Sequence, residues 1–253
     1  NRLRIPIPIE KGLEPKLKLI ERKREEGLQV TFDLVPSSQG FTELFAFLPP
    51  YASEGSKGQA LERLKDRAFR KKVLWDIENV EPVWPHRDGA TWSFNYLKMT
   101  GWNGLRVMAV ASDHNRWMEG KTFPEIGKAI GKEPFDVICD LLIEENGQVM
   151  VFHTPTRPDD PFTFRSMWSG FTHPLSMPST DTILRPVGRP AQVYYDCFPR
   201  FIDIFVKQEK LLSLEEAIRK CTSLPAATMK IGKRGTLEKG NYADIVIFDL
   251  ARL

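Results

Sequence analysis

Gly235-Thr-Leu-Glu-Lys-Gly240-Asn-Tyr-Ala243-Asp244-Ile-Val-Ile-Phe-Asp249 stands at the end of the chain. Two glycines bound a polar turn, Ala243-Asp244 forms the step out of it, and Ile245 to Phe248 reads as an apolar strand closed by Asp249. Far upstream, Glu14-Pro15 followed by residues 16–26 reads as a helix with Pro15 in its first turn and Gly27 as its stop. Residues 28–35 then read as a buried strand that ends at Pro36. Helix, glycine and short strand make the αβ half of a parallel α/β unit.

The 253 residues are enough for one large domain or two small ones. Hydrophobic residues make up 42% and charged residues 27%, ordinary for a soluble globular protein. Thirty-six basic residues against 33 acidic ones leave a net charge of +3, too balanced for a nucleic-acid surface. Cys139, Cys197 and Cys221 are odd in number and far apart, so neither a disulfide framework nor a CxxC site is expected. A reducing compartment, the cytoplasm, is the expected location. No apolar run reaches the roughly 18 residues of a membrane span. The chain lacks an initiator Met and stops just after its last strand, so both ends read as cuts through a larger fold.

Residues 37–122 are less regular. They hold Phe45-Ala-Phe-Leu-Pro-Pro-Tyr51, a charged helix expected over 57–77, and five of the six tryptophans. So long a structureless loop would be unusual in a compact domain, which predicts an inserted subdomain or lid. The tryptophans read first as that subdomain's own core, with pocket lining as the alternative. Thr122-Phe-Pro-Glu125 and Ser213-Leu-Glu-Glu216 have the spacing of capping boxes. Helices are expected over 122–131, 134–145, 160–169, 195–207, 214–222 and from 223. Strands are expected over 148–153 and 173–181.

Several of these stretches together resemble the D-aminoacylase (N-acyl-D-amino-acid deacylase) branch of the amidohydrolase superfamily. Glu25-Glu-Gly-Leu-Gln-Val-Thr-Phe-Asp-Leu-Val-Pro36 resembles that family's seventh barrel strand and the helix before it. Leu48-Pro-Pro-Tyr-Ala-Ser-Glu-Gly55 and Leu61-Glu-Arg-Leu-Lys-Asp66 resemble the start of its inserted lid. Residues 123–136 and 140–145 resemble the helices leading back to the barrel. His173-Pro-Leu-Ser-Met-Pro-Ser-Thr-Asp181 resembles the eighth strand, and Phe198-Pro-Arg200, 211–217 and 222–226 follow in order. The closing Gly240 to Asp249 stretch resembles the return into a small β-sandwich.

The fold this implies is α/β: the C-terminal part of a TIM-like (β/α)8 barrel with an inserted lid and the start of a β-sandwich. The domains would be 1–36 (barrel helix and seventh strand), 37–122 (lid), 123–234 (barrel, with the eighth strand) and 235–253 (the return strand). Asp181, at the carboxyl end of the last barrel strand, would point into the active-site mouth. The resemblance implies that it binds metal or shuttles a proton from metal-bound water to the leaving amine.

The implied cofactor is zinc, one or two ions, and the implied partner is a small N-acyl-amino acid or related amide. Its other metal ligands would lie upstream of residue 1, so this chain alone is expected to bind no metal and to be inactive. Arg189 and Arg185 are candidates for holding a substrate carboxylate, and Ser38, after the seventh strand, for contacting substrate.

The chain also departs from the family's pattern. Ser179-Thr-Asp-Thr182 replaces Gly-Ser-Asp-Gly, and Ala191 and Val193 stand where His and Arg are usual. His86, His114 and His173 read as surface, lid and strand-entry residues. His153, at the end of a strand, is the only one that could face the mouth. The four histidines lack metal-ligand spacing. A non-catalytic binding or scaffold homologue is the alternative these losses support, and a self-contained α/β protein is a weaker one.

Overall fold

The computed structural model describes residues 13–82, 92, 94–154, 167–182 and 187–253. They fall into two compact units. The first is formed by residues 13–37, 167–182 and 191–253, and the second by residues 38–154 and 187–190.

In the first unit, helix α1 (Glu14–Glu25) carries Pro15 in its first turn and buries Leu17. Gly27, at φ 90°, ends it, and Leu28 N–H closes back on Lys23 O at 3.1 Å. Strand β1 (Phe32–Leu34) pairs in parallel with β5 (Ser176–Pro178), with Phe32 opposite Ser176 and Leu34 opposite Pro178. Both strands are shorter than the runs expected at 28–35 and 173–181. Ladder hydrogen bonds need a partner, and Pro174 and Pro178 each lack the N–H to give one.

Around this pair lie α7 (Trp168–Thr172), α8 (Val193–Ile202), α9 (Leu214–Cys221) and α10 (Ser223–Thr228). Phe171, Phe201 and Phe205 stack at centroid distances of 4.9–6.0 Å beside Leu34 and Ala217. Pro199 lies inside α8, and the next turn, Asp203–Gln208, widens to a π-helix. Ser213 caps α9, accepting from Glu216 N–H at 3.2 Å. The Glu216 carboxylate does not complete that box, because Arg219 holds it at 2.6 and 2.8 Å.

The second unit is built on an antiparallel sheet ordered β2 (Gly40–Glu43), β4 (Met150–His153), β3 (Leu105–Ala109). Helices α2 (Lys57–Arg63), α3 (Arg67–Asn79), α4 (Tyr96–Thr100), α5 (Phe123–Ile130) and α6 (Pro134–Glu144) belong to it. One core joins Phe47, Leu61, Leu64, Ile77, Trp92, Val107, Phe123, Ile126, Ile138 and Val151. The helix expected over 57–77 is two helices, because the chain turns at 64–66 and Asp66 caps α3 through Ala68 N–H at 2.8 Å. Thr122 and Glu125 form a full capping box on α5.

The structure draws the unit boundary differently from the sequence reading, which placed 123–153 in the barrel. All four residues of β4 are buried and its partners on both sides come from 38–109, so β4, α5 and α6 close the core of the second unit. Trp92 is buried there, whereas Trp75 and Trp117 are exposed. Trp84 and the expected helix start at 160–166 lie outside the described residues.

The closing strand is not formed. Residues 243–249 pair with nothing among the described residues, and Ile245, Val246 and Ile247 are 60%, 83% and 94% exposed. Extended chain becomes a strand only against another strand. The turn before it does form, with Arg234 over the Tyr242 ring at 4.5 Å and ion-paired to Asp244. No helix among the described residues is long and apolar enough to cross a membrane.

Candidate functional site

Asp181 lies three residues beyond β5, past Ser179, whose N–H prolongs the ladder onto Leu34 O at 2.9 Å. It therefore stands at the carboxyl end of the parallel pair, as expected. Its φ is 52°, in the left-handed region, and its side chain is exposed. Asp tolerates that region better than most residues, at a cost of order 1 kcal/mol or more.

Arg189 belongs to the second unit. Its N–H donates to Met108 O at 2.8 Å, fastening it to β3. Before it, Gly188 (φ 91°) lies so close to Ala109 that a Cβ would stand 2.2 Å from the Ala109 Cβ. The guanidinium rests on Gly120. A Cβ there would be 3.0 Å from Cζ and Nη1 and 3.1 Å from Nε of Arg189. Among the described residues Arg189 has no ion-pair partner. Ser38, half-buried, belongs to the second unit just before β2. Arg185 lies outside the described residues. Asp181 is thus placed within the first unit, and Ser38 and Arg189 within the second.

Packing and hydrogen bonds account for His173 and His153. His173 sits at the amino-terminal end of β5. Its Nε2 lies 3.2 Å from Glu21 Oε1, its Nδ1 accepts from Leu175 N–H at 3.3 Å, and its ring lies 5.4 Å from that of Phe32. An acceptor Nδ1 places the proton on Nε2, facing the carboxylate. His153 is in β4, buried against Phe47 and Tyr96 at 6.1 and 5.2 Å, which makes it a core residue of the second unit. His114 is exposed, and His86 lies outside the described residues.

Among the described residues no three His, Cys, Asp or Glu side chains converge to hold a metal. Burial pushes the thiols of Cys139, Cys197 and Cys221 up to about 12, so none serves as a ready thiolate. The donor set at Asp181 is a single carboxylate, which does not fit a zinc ion by itself.

Two buried ionic residues escaped the sequence reading. Lys220 on α9 is fully buried. It donates to Ser176 O at 3.2 Å, to Ser176 Oγ at 3.0 Å and to His173 O, and burial lowers its pKa to about 8. Its signal is position: Lys220 follows Ala217 by three residues on the buried stripe of the helix. Glu145, just after α6, accepts from Ala111 N–H (2.7 Å), Ser112 N–H (2.9 Å), Asn115 Nδ2 (2.7 Å) and the Ser112 hydroxyl. Burial raises its pKa, but those hydrogen bonds outweigh it and hold the carboxyl below its usual range. Its signal is weak, because Glu144 and Glu145 are indistinguishable by pattern.

Residues 94–253 match the model of the amidohydrolase family. Among curated relatives, an N-acyl-D-aspartate deacylase of Alcaligenes xylosoxydans xylosoxydans is 38% identical over 84 residues, 33% of this chain and 16% of that protein. A D-aminoacylase of the same organism is 29% identical over 134 residues, 53% of this chain and 25% of that protein. Among solved structures, the zinc- and phosphonate-bound N-acyl-D-glutamate deacylase of Bordetella bronchiseptica superposes with a TM-score of 0.59 at 19% identity. A D-aminoacylase described as defining a novel subset of amidohydrolases gives 0.54 at 21%. Each superposition covers 91% of this chain and 35% of the other, so the chain spans about a third of those structures. The matched family region takes in the second unit's β3 and β4, all of β5, and both Asp181 and Arg189: the chain belongs to the amidohydrolase family.

Proposed function

We propose that the complete protein hydrolyses the amide bond of an N-acyl-amino acid, with Asp181 as the proton shuttle. The observation that carries this is the placement of Asp181, inside the family match, just beyond the carboxyl end of β5 and in the left-handed region. Strained polar residues at strand ends concentrate at reacting centres. In the reaction a water oxygen adds to the acyl carbon while its proton passes to the Asp181 carboxylate. The same proton then goes to the amide nitrogen as the C–N bond breaks, leaving a carboxylic acid and an amine, and the acid's remaining proton passes to the amine to give carboxylate and ammonium. Arg189 is read as the receiver of the substrate carboxylate, a role suited to a guanidinium with no ion-pair partner among the described residues.

Zinc is part of this reading for the complete protein, with its remaining donors outside the described residues. β1 and β5 are read as neighbouring strands of a (β/α)8 barrel, which their parallel register supports. The three free cysteines support a reducing compartment.

A non-catalytic homologue is the second reading, and the observation that favours it is Ala191, buried where the family's pattern has His. Turnover by the complete protein of a panel of N-acetyl-D-amino acids decides between the two. Asp181→Asn is expected to abolish turnover with an unchanged circular dichroism spectrum, and unchanged turnover rules out the shuttle.

A further inference from the structure

Gly120 is held on three sides. Its N–H donates to Val107 O at 2.8 Å, its carbonyl accepts from Arg106 Nη1 at 3.2 Å, and its Cα carries the Arg189 guanidinium. The turn around it is fastened to β3, with Val107 N–H on Lys121 O at 3.0 Å and Lys121 N–H on Met118 O at 3.0 Å. Gly120 has φ 86°, which a residue with a Cβ adopts only under strain. The neighbouring carboxylate of Glu119 is turned away, accepting from Val110 N–H at 3.3 Å. Glu125, on α5, is engaged by the Thr122 cap and by Arg106 at 3.6 Å.

Arg189 is exposed, and its guanidinium lies against Gly120 with no ion-pair partner among the described residues. An arginine tied down by an ion pair has spent its fork on that partner. One that lies against a glycine is limited on that side while its N–H groups stay available for a ligand. Preorganisation of this kind raises affinity by removing the entropy of ordering a long side chain at the moment of binding.

We propose that Gly120 is a positioning residue for carboxylate recognition. Its missing side chain makes the seat on which β3 and its following turn present Arg189 to the carboxylate of an N-acyl-amino acid. This rests on the reading of Arg189 given above.

The test uses the complete protein with Asp181→Asn in every sample, so that neither probe is turned over (wild type below means unchanged at 120 and 189), and two probes, N-acetyl-D-leucine and its carboxamide, with affinities measured by calorimetry. Wild type is expected to favour the acid. In Gly120→Ala the acid weakens by about tenfold or more while the carboxamide changes by less than about twofold. In the double variant Gly120→Ala/Arg189→Met, the acid binds no worse than in Arg189→Met alone, because Gly120 acts through Arg189. Equal losses for both probes, or additive losses in the double variant, mean a merely structural glycine and overturn the proposal.

Should Gly120→Ala fail to fold, Arg189→Lys decides, since it keeps the charge but loses the flat face that Gly120 seats. Full retention of acid preference there overturns the proposal. If wild type itself does not distinguish acid from amide, the reading of Arg189 fails first, which is a different result from a discriminating wild type matched by Gly120→Ala.

Discussion

Gly40 and His153 face each other across the β2–β4 ladder, and the imidazole of His153 occupies the space a side chain at residue 40 would need. A Cβ on Gly40 would stand 2.3 Å from Cε1 and 2.5 Å from Nε2. With Phe47 and Tyr96 around it, the ring is part of the second unit's packing. Gly40→Ala should cost about 1–3 kcal/mol of stability through overpacking. Adding His153→Ala should restore part of it, so the two changes are non-additive. Urea unfolding of the four proteins measures this.

Lys220 gives stability a distinctive pH dependence. Its pKa falls from 10.5 in the unfolded chain to about 8 in the fold, because burial disfavours the ammonium. Between those values the unfolded state binds more protons, so stability rises with pH. Below about pH 8 both states carry the charge and the burial cost is constant. Relative to Lys220→Met, wild type should gain on the order of 1–3 kcal/mol between pH 8 and 10.5. Chemical denaturation of both proteins across that range gives the difference, and parallel curves would exclude the assignment.

Glu145 works in the opposite range. Its folded pKa lies below 4.5, so its contribution is present above that value and is lost as pH falls through the folded one. Glu145→Gln should destabilise by about 1–3 kcal/mol at pH 7, because the bonds to Ala111, Ser112 and Asn115 lose their charged acceptor. The deficit should shrink on acidification below pH 4.5. Hydrogen exchange at Ala111 and Ser112 should speed up in the variant at neutral pH.

Asp181 separates stability from activity. Glycine accepts a φ of 52° without strain, so Asp181→Gly should stabilise the fold by about 0.5–1 kcal/mol. Turnover by the complete protein should nevertheless disappear. A variant with a higher melting temperature and no activity would show that the aspartate is kept for its carboxylate at a cost in stability.

Much of the local structure was legible because its causes are local. Thr122 and Glu125, Pro15, Gly27 and Gly131 announce helix ends through groups a few residues apart. The order of motifs made the family legible, and Asp181 is where strand β5 would put it. Partner choice was not legible. The run 148–153 looks the same whether it joins a parallel barrel or pairs antiparallel with 40–43 and 105–109, and only the long-range ladder decides. The same limit hid Gly120, whose role depends on a side chain 69 residues downstream.

Ile245 to Phe248 holds a further consequence, for handling the chain. A short, β-prone, nearly uncharged segment with open backbone edges is a template for cross-chain zippering. Asp244 and Asp249 stand at its two ends as gatekeepers, and Lys239 and Arg252 lie beyond them. Colloidal behaviour of this polypeptide should therefore turn on four residues rather than on its core. Val246→Lys should raise its solubility limit without moving its unfolding transition.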